Sequence, residues 1–283
     1  MATLKAGDIV QLVGRDRKQQ TFIFRLTAGE KFHTHYGHIE HDALIGQPLG
    51  AEVATHKGHP FFVLEPSTDD LIRDIRRNSQ IIYPKDIGFI LMKMAICPGR
   101  TVVEAGTGSG GLTTVLAQMV GTAGRVISYD VREDMQALAR RNLERVGLLE
   151  RVTLKQRDSA AGFDESDVDA LFLDVPNPWD YTAQARSALK GGGFFGSILP
   201  TANQVSRLLT SLERDGFSFI EVCEVLIRYY KPVPERLRPT DRMVAHTGFL
   251  IFARAVTLGR PAPAATEAAE KKEAGAAEAP SIG

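Results

Sequence analysis

The sequence predicts an α/β protein in which a small β module precedes a Rossmann-like domain with a mostly parallel, seven-stranded sheet. From residue 101 onward, apolar strands alternate with helices, a pattern that favours right-handed βαβ crossovers and a parallel sheet. A glycine-rich turn joins the first of these strands to its helix. Before residue 66, short strands separated by glycines dominate instead.

The first 65 residues are expected to form a compact β-barrel or sandwich. Polar residues alternate with apolar or β-branched residues in segments 8–13 and 20–26, and residues 61–64 read as a further short strand. Repeated glycines between these segments indicate tight turns. We therefore place a domain boundary near residue 65.

Residues 66–256 are expected to form the larger domain, which begins with two linking helices, 68–77 and 87–97. Five strands follow, at 101–105, 125–130, 151–156, 170–174 and 193–199. Helices are predicted at 111–120, 133–146 and 204–215. Segments 217–228 and 247–254 read as two closing strands, antiparallel to the rest. Residues 257–283 lack aromatic side chains and are rich in Ala, Glu and Pro, which predicts a disordered tail.

Composition limits the class of protein more than it limits the substrate. The 283 residues carry a formal net charge of zero, which argues against a surface covered with positive charge but allows a local basic face. No segment has the length of apolar residues that a membrane span needs, and the first residues lack the apolar core of a secretory signal. The two cysteines, Cys97 and Cys223, predict no disulfide framework and favour a reducing, cytoplasmic location.

The glycine-rich turn predicts a site for a nucleotide-like cofactor. It opens a helix directly after a strand, where glycines let the backbone pass close to a ligand. Asp130 ends the next strand, where a carboxylate can hold two ribose hydroxyls, as it does in dinucleotide-binding enzymes also. Glu104 precedes the glycines as an acid does in S-adenosylmethionine-dependent methyltransferases, which favours that cofactor. Arg157 and Asp158 follow the third strand, and Asp158 is either an acceptor for the adenine amino group or a solvated loop acid.

Several strings in a fixed order resemble the tRNA (adenine-N1)-methyltransferase family. The similarity runs from about residue 29 to residue 253 and begins with signposts at 34–37, 41–42 and 45–46. The stronger strings are QIIYPKD at 80–86, EAGTGSGGLT at 104–113, LDVPNPW at 173–179 and HTGF at 246–249. This resemblance implies a class I methyltransferase fold and S-adenosylmethionine as cofactor. It also implies formation of 1-methyladenosine at position 58 of the tRNA T-loop.

The family's cofactor contacts carry over to matching positions of this sequence. They are the acids Asp130, Asp158 and Asp174, the backbone of Ile82, and the turn residues Gly106, Thr107, Gly108, Ser109, Gly110 and Gly111. Many members have Glu where this chain has Asp130, so its ribose contact is expected to be longer or bridged by water. The resemblance further implies a homotetramer and an N-terminal module that helps to hold tRNA.

Asp174 and Tyr83 are the candidate catalytic residues. Adenine N1 attacks through an in-plane lone pair and becomes cationic, so a carboxylate beside the 6-amino group would orient the base and favour the developing charge. Asp174 lies at the carboxyl end of a central strand, where open α/β sheets bind ligands. Tyr83 is expected either to stack on an extruded adenine or to lie in the core. His246 is a weaker candidate for the same pocket.

A metal site is considered and not predicted, and two other functions remain open. His33, His35, His38 and His41 suggest a metal site, but without cysteine or a second cluster we predict none. The chain is also compatible with methylation of a protein or small molecule, and with a non-catalytic tRNA-binding paralogue subunit. The intact glycine turn argues against the last of these.

Overall fold

A computed structural model describes residues 3–16, 19–78 and 80–257. The tail was predicted over residues 257–283, and residues 258–283 of it lie outside the described residues. Within the described ranges, no helix is both long and apolar enough to cross a lipid bilayer.

The N-terminal module consists of an antiparallel four-stranded sheet and a separate hairpin. The sheet has the order β2-β1-β6-β5, with β1 at Ile9–Gly14, β2 at Thr21–Arg25, β5 at Glu52–Ala54 and β6 at Pro60–Leu64. Strands β3 (Lys31–Thr34) and β4 (Gly37–Glu40) form the hairpin, and the short helix α1 (His41–Leu44) follows it.

Aromatic packing joins the hairpin to the sheet. The ring of Phe32 on β3 stacks on that of Phe24 on β2, with centroids 4.1 Å apart. Since β2 and β5 are the two edges of the described sheet, the module is an open sheet with a hairpin across it.

A mostly parallel seven-stranded sheet forms the centre of the larger domain. Its order is β12-β15-β11-β10-β7-β8-β9, and the pairs from β11 through β10, β7 and β8 to β9 are parallel. The strands are β7 (Thr101–Ala105), β8 (Arg125–Asp130), β9 (Val152–Gln156), β10 (Val168–Leu173), β11 (Leu189–Leu199), β12 (Phe217–Cys223) and β15 (Phe249–Ala255). Strand β15 pairs antiparallel with both β11 and β12, which confirms the expected antiparallel end.

Helices cover both faces of this sheet, and an apolar core lies on each face. The helices are α2 (Thr68–Arg73), α3 (Pro84–Lys93), α4 (Gly111–Val120), α5 (Glu133–Arg145), α6 (Thr182–Ala188) and α7 (Ala202–Arg214). A small hairpin of β13 (Tyr230–Lys231) and β14 (Arg238–Pro239) lies between β12 and β15.

Most differences from the predicted elements concern their ends. Helix α3 begins at Pro84, three residues before the predicted start, because proline is favoured in the first turn of a helix. Strand β12 ends at Cys223 rather than at residue 228. Helix α6 was missed, since its seven residues are too few to display a helical period.

Candidate cofactor and active site

The site lies where the strand order of the sheet reverses. From β7 the chain continues to β8 and β9 on one side, and it later returns to place β10 on the other side of β7. The loops that follow β7 and β10 therefore diverge and leave a crevice at the carboxyl ends of the strands. Gly106 begins one of these loops and Asp174 begins the other.

Contact between these two loops explains why residue 106 is glycine. Its φ is +98°, and a Cβ atom built on it would lie 2.0 Å from the backbone oxygen of Asp174. The backbone N–H of Asp174 in turn donates to the oxygen of Ala105 over 2.8 Å. Glycine is thus required by the Asp174 loop itself, in addition to any ligand in the crevice.

Of the remaining turn residues, most line a small pocket and one caps the start of helix α4. A small pocket between the turn and residues 80–82 is lined by Gly106, Thr107, Gly108, Ser109, Gly111, Glu104, Asp174 and the predicted Ile82. Gly110 is the N-cap of α4, with φ +83°, and its Cβ would contact Ala139 at 3.2 Å. Gly110 therefore has a structural reason to be glycine that does not involve a ligand.

Asp130 ends β8 with its carboxylate at the edge of the crevice. The carboxylate accepts the backbone N–H groups of Gly108 at 2.9 Å and Arg132 at 3.0 Å, and it pairs with the Arg132 guanidinium. Burial would raise the pKa of Asp130, but the hydrogen bonds from Arg132 and Gly108 outweigh burial and hold it below the ordinary value. Asp130 is therefore ionised and its oxygens are already fully engaged.

Glu104 is buried beneath the turn, where two hydroxyl groups donate to its carboxyl oxygen Oε2. These are Thr113 Oγ1 at 2.5 Å and Ser128 Oγ at 2.6 Å. Burial raises the pKa of Glu104 to about 8, against the lowering effect of the two hydrogen bonds. At neutral pH this carboxyl group is mainly protonated.

Asp174 lies at the junction of the small pocket and the main cleft, and it lines both. The residue is exposed to solvent in the cleft, whereas neighbouring protein groups desolvate its carboxyl group. Burial among these groups and the negative charge of Asp130 raise the pKa of Asp174 to about 6, while Arg132 opposes the shift. The carboxyl group is therefore mostly ionised at pH 7.

Asp158 and Arg157 line the cleft beyond Asp130. The Asp158 side chain accepts the backbone N–H of Ala160 at 2.9 Å and caps a short 3-10 helix. The Arg157 guanidinium binds the Asp164 carboxylate and the Ala161 oxygen, which orients it along the cleft wall. Asp158 retains acceptor capacity for a ligand, since a carboxylate accepts several hydrogen bonds.

The main cleft fits a nucleoside with an attached amino acid. Its volume is about 710 Å³, within the range of small-molecule sites. Aliphatic and proline residues line it together with the carboxylates: Val175, Pro176, Ile198, Leu199 and Pro200. Glycine backbone, carboxylate acceptors and apolar side chains are the groups that an S-adenosyl ligand requires.

The structure does not bring Tyr83 into this cleft. Tyr83 precedes α3 and lines a neighbouring groove with Arg73, Arg77 and Gln80. Gln80 also lines the cleft, so the two spaces meet at that residue. The catalytic role of Tyr83 stays a prediction.

Two residues at the site were not found from sequence. Arg132 pairs with Asp130, and Tyr181 lines the cleft. Neither belongs to a recognisable motif, and only the fold brings them to the cleft. Gln204, which with Val205 is a further string of the family resemblance, also lines the cleft.

The predicted signpost residue His246 connects two loops beside the cleft. One ring nitrogen contacts the Glu224 carboxylate and the other lies 3.0 Å from the oxygen of Pro200. Both partners are acceptors, so the two bonds together require the imidazolium form. The hydrogen bonds to Glu224 and Pro200 raise the pKa of His246.

Within the described part of the chain, no group of three or more His, Cys, Asp or Glu side chains is arranged to hold a metal ion. The N-terminal histidines instead stack on one another and on aromatic rings, as in the pair His38–His56 with centroids 4.0 Å apart.

Comparison with known proteins matches almost the whole of the described chain. A family model described as "tRNA methyltransferase complex GCD14 subunit" covers residues 61–238, and one described as "TrmI-like N-terminal" covers residues 3–53. The chain is 36% identical over 251 residues to the tRNA (adenine(57)-N(1)/adenine(58)-N(1))-methyltransferase TrmI of Methanocaldococcus jannaschii. That match covers 80% of this chain and 88% of the relative.

The chain belongs to the tRNA (adenine-N1)-methyltransferase family. The resemblance inferred from the sequence strings is thereby confirmed, and with it S-adenosylmethionine as the cofactor.

Two solved structures of related proteins have the same architecture. A Thermotoga maritima protein described as a SAM-dependent O-methyltransferase has a TM-score of 0.81 and 46% identity, covering 92% of this chain and 97% of the other. The tRNA (m1A58) methyltransferase TrmI of Aquifex aeolicus has a TM-score of 0.74 and 34% identity, covering 91% and 100%. The predicted Rossmann-like methyltransferase fold with its N-terminal β module is confirmed.

Proposed function

We propose that this protein transfers the methyl group of S-adenosylmethionine to N1 of adenine 58 in the tRNA T-loop, giving 1-methyladenosine. The observation that carries the proposal is the position of Asp174 beside Asp130 in one cleft, at the strand-order reversal of a chain that belongs to this family. When bound, S-adenosylmethionine supplies an electrophilic methyl group on its sulfonium.

The proposed roles divide between the two ends of the cleft. Asp130 holds the ribose of the cofactor, and Asp158 accepts from its adenine amino group. The turn residues Gly106, Thr107, Gly108, Ser109 and Gly111, with Glu104 and the backbone of Ile82, enclose the rest of the cofactor. Their shared pocket supports this assignment.

Asp174 is proposed to act on the target adenine. Its carboxylate would accept a hydrogen bond from the 6-amino group and favour the positive charge that develops as N1 is methylated. No proton has to be removed from N1 before attack, so the site needs no strong base. The target must leave the T-loop to reach the cleft, and Tyr83 at the adjoining groove is proposed to stack on it.

The N-terminal module, residues 1–65, is proposed to bind tRNA, and residues 66–256 to form the catalytic domain. We further propose a homotetramer located in the cytoplasm. An exposed apolar segment around the β13–β14 hairpin supports self-association, with Leu226, Tyr229, Leu237 and Val244 each more than half exposed. Analytical ultracentrifugation of the protein and of a Leu226→Glu, Leu237→Glu variant tests this part.

The decisive experiment uses labelled S-adenosylmethionine and unmodified tRNA. After digestion, the labelled nucleoside is identified and its position mapped in tRNAs that carry adenine at 57, at 58 or at both. 1-Methyladenosine at position 58 supports the proposal, and label at position 57 as well would extend it. Absence of label from tRNA that has adenine 58, with the cofactor bound, would overturn it.

A second candidate is transfer to oxygen on another substrate. The Thermotoga maritima protein that is 46% identical is described as an O-methyltransferase. A hydroxyl acceptor must lose a proton, and Asp174, with a pKa of about 6, is a carboxyl group of the cleft that would take it. A labelled O-methyl product, or labelled protein or small molecule in place of tRNA, would favour this candidate.

A further inference from the structure

The carboxylate proposed to hold the cofactor ribose has no free acceptor position. Asp130 Oδ2 accepts from Gly108 N at 2.9 Å and from Arg132 Nη2 at 3.2 Å. Asp130 Oδ1 accepts from Arg132 N at 3.0 Å and from Arg132 Nε at 3.2 Å. A carboxylate offers about four lone-pair sites, and all four are used.

Only the guanidinium can be displaced without unfolding the turn. The two backbone donors belong to the glycine turn and to the residue that precedes α5. The Arg132 side chain is half exposed, whereas that of Asp130 is almost fully buried. The guanidinium can therefore turn into solvent, while the backbone N–H groups of Gly108 and Arg132 still donate to the carboxylate.

We propose that Arg132 competes with the cofactor for Asp130 and is displaced when the ribose hydroxyls bind. The inference rests on the proposed function, in which Asp130 holds the ribose. Arg132 thus lines the cleft but weakens cofactor binding, whereas the other proposed cofactor residues strengthen it.

This role predicts an effect opposite in sign to that of a contact residue. Truncating a residue that touches the ligand weakens binding, whereas removing a competitor frees the acceptor in advance and strengthens binding. S-adenosylhomocysteine and adenosine are suitable probes, because both carry the ribose and neither carries the sulfonium charge. Their affinities therefore report the competition without direct repulsion between the arginine and a cationic sulfur.

Calorimetric titration of both ligands into the full-length Arg132→Met variant tests the proposal. We expect dissociation constants about two- to tenfold lower than for the unmodified protein, the equivalent of a modest ion pair. Arg132→Lys keeps the charge but cannot bind both carboxylate oxygens in parallel, and it should give a smaller gain. Arg140→Met removes an equal charge from an exposed site on α5, and it should leave both affinities unchanged.

A variant at Asp130 tests whether Arg132 affects cofactor binding through its ion pair with Asp130. In an Asp130→Asn background the ion pair is already lost, so adding Arg132→Met should give no further gain. Unchanged or weaker binding of both ligands by Arg132→Met alone would overturn the proposal. If the unmodified protein binds no S-adenosylhomocysteine, the proposed function itself fails, and the two failures are distinguishable.

Discussion

At the scale of single residues, three of the carboxyl groups at the site have environments that give them different charges. The pKa of Asp130 lies below the ordinary value, that of Asp174 is about 6 and that of Glu104 is about 8. At pH 7 the first two are mainly ionised and the third is mainly neutral. Asp130 and Asp174 therefore present negative charge to a cleft proposed to bind a cationic cofactor, and Glu104 acts as a hydrogen-bonding partner of the turn.

Replacing Asp174 should slow methyl transfer more than it weakens binding. Loss of one preorganised electrostatic contact costs on the order of 10²–10³ in rate, so Asp174→Ala should transfer at least about a hundredfold more slowly. Single-turnover rates at saturating S-adenosylmethionine isolate this step from cofactor affinity. Near-normal transfer by the variant would exclude a catalytic role for Asp174.

The same residue should impose a pH dependence on the rate. The ionised carboxylate is the active form, and its pKa is about 6, so the single-turnover rate should rise with pH through that value. Asp174→Asn, which cannot ionise, should lack this rise while it keeps the shape of the side chain. An identical rise in the variant would assign the titration to another group.

Glu104→Gln should stabilise the cofactor-free protein increasingly as the pH rises. The pKa of Glu104 is about 8 in the folded chain, against 4.5 for an ordinary exposed glutamate. Between these values the unfolded chain is ionised while the folded chain retains its proton, so folding stability falls by at most about 1.4 kcal/mol per pH unit. Glutamine retains an acceptor for Thr113 and Ser128 and does not ionise.

Urea denaturation of both proteins from pH 5 to pH 8 measures this difference in the free energy of unfolding. Glu150→Gln, on a short surface segment, serves as the matched control and should track the unmodified protein. Parallel stability curves for Glu104→Gln and the unmodified protein would show that Glu104 does not hold its proton in the folded state.

At the scale of elements, two strings far apart in the sequence meet in one buried network. Lys85 Nζ on α3 donates to Asp86 Oδ1 at 2.8 Å and to Thr247 Oγ1 at 2.6 Å. Thr247 Oγ1 donates to Asp86 Oδ2 at 2.7 Å, which closes the network. The start of α3 is thereby tied to the segment before β15, and His246 in that segment also contacts the cleft wall at Pro200.

Thr247→Val should destabilise the protein because it removes a hydroxyl from this network. Asp86 is fully buried, and an acceptor left without its donor costs about 1–3 kcal/mol. The free energy of unfolding from urea denaturation measures the loss. Thr210→Val on the exposed face of α7 is the control, and it should change stability by no more than about 0.5 kcal/mol. Equal stability of the Thr247 variant and the control would show that the network contributes nothing.

At the scale of the whole molecule, the two modules have separate tasks in the proposed function. Every residue that lines the main cleft lies between Gln80 and Gln204, so the N-terminal module contributes none. On that module, Lys31 pairs with Glu40, whereas no ion pair of Lys57 occurs within the described ranges. Lys57 is exposed beside the stacked His38 and His56 rings and is available to a phosphate.

Lys57→Glu should weaken tRNA binding and leave affinity for S-adenosylhomocysteine unchanged. Loss of one phosphate contact should also reduce by about one the slope of log affinity against log salt concentration. Filter binding across a salt series measures both quantities, and Lys57→Arg, which keeps the charge, should behave as the unmodified protein. Equal tRNA affinity for the Glu and Arg variants would remove this face of the module from the tRNA contact.

The sequence by itself determined the fold class and the location of the cofactor site. Helix α4 and strands β7 and β8 have their predicted ends, because glycine turns and apolar runs are local signals. The alternation of strands and helices predicts a parallel sheet, in which Glu104, Gly106, Asp130 and Asp174 lie at or just after the carboxyl ends of strands. These ends meet at the point where the strand order reverses, which is where such sheets bind ligands. The family strings add the cofactor and the expected substrate.

Only the tertiary structure decided which of these residues touch and in which protonation state. Gly106 must lack a side chain because of the Asp174 oxygen, which is distant in sequence. The high pKa of Glu104 depends on burial, and the ion pair of Asp130 depends on the direction of the Arg132 side chain. Burial, side-chain direction and contacts between distant segments follow from packing, so local sequence patterns do not report them.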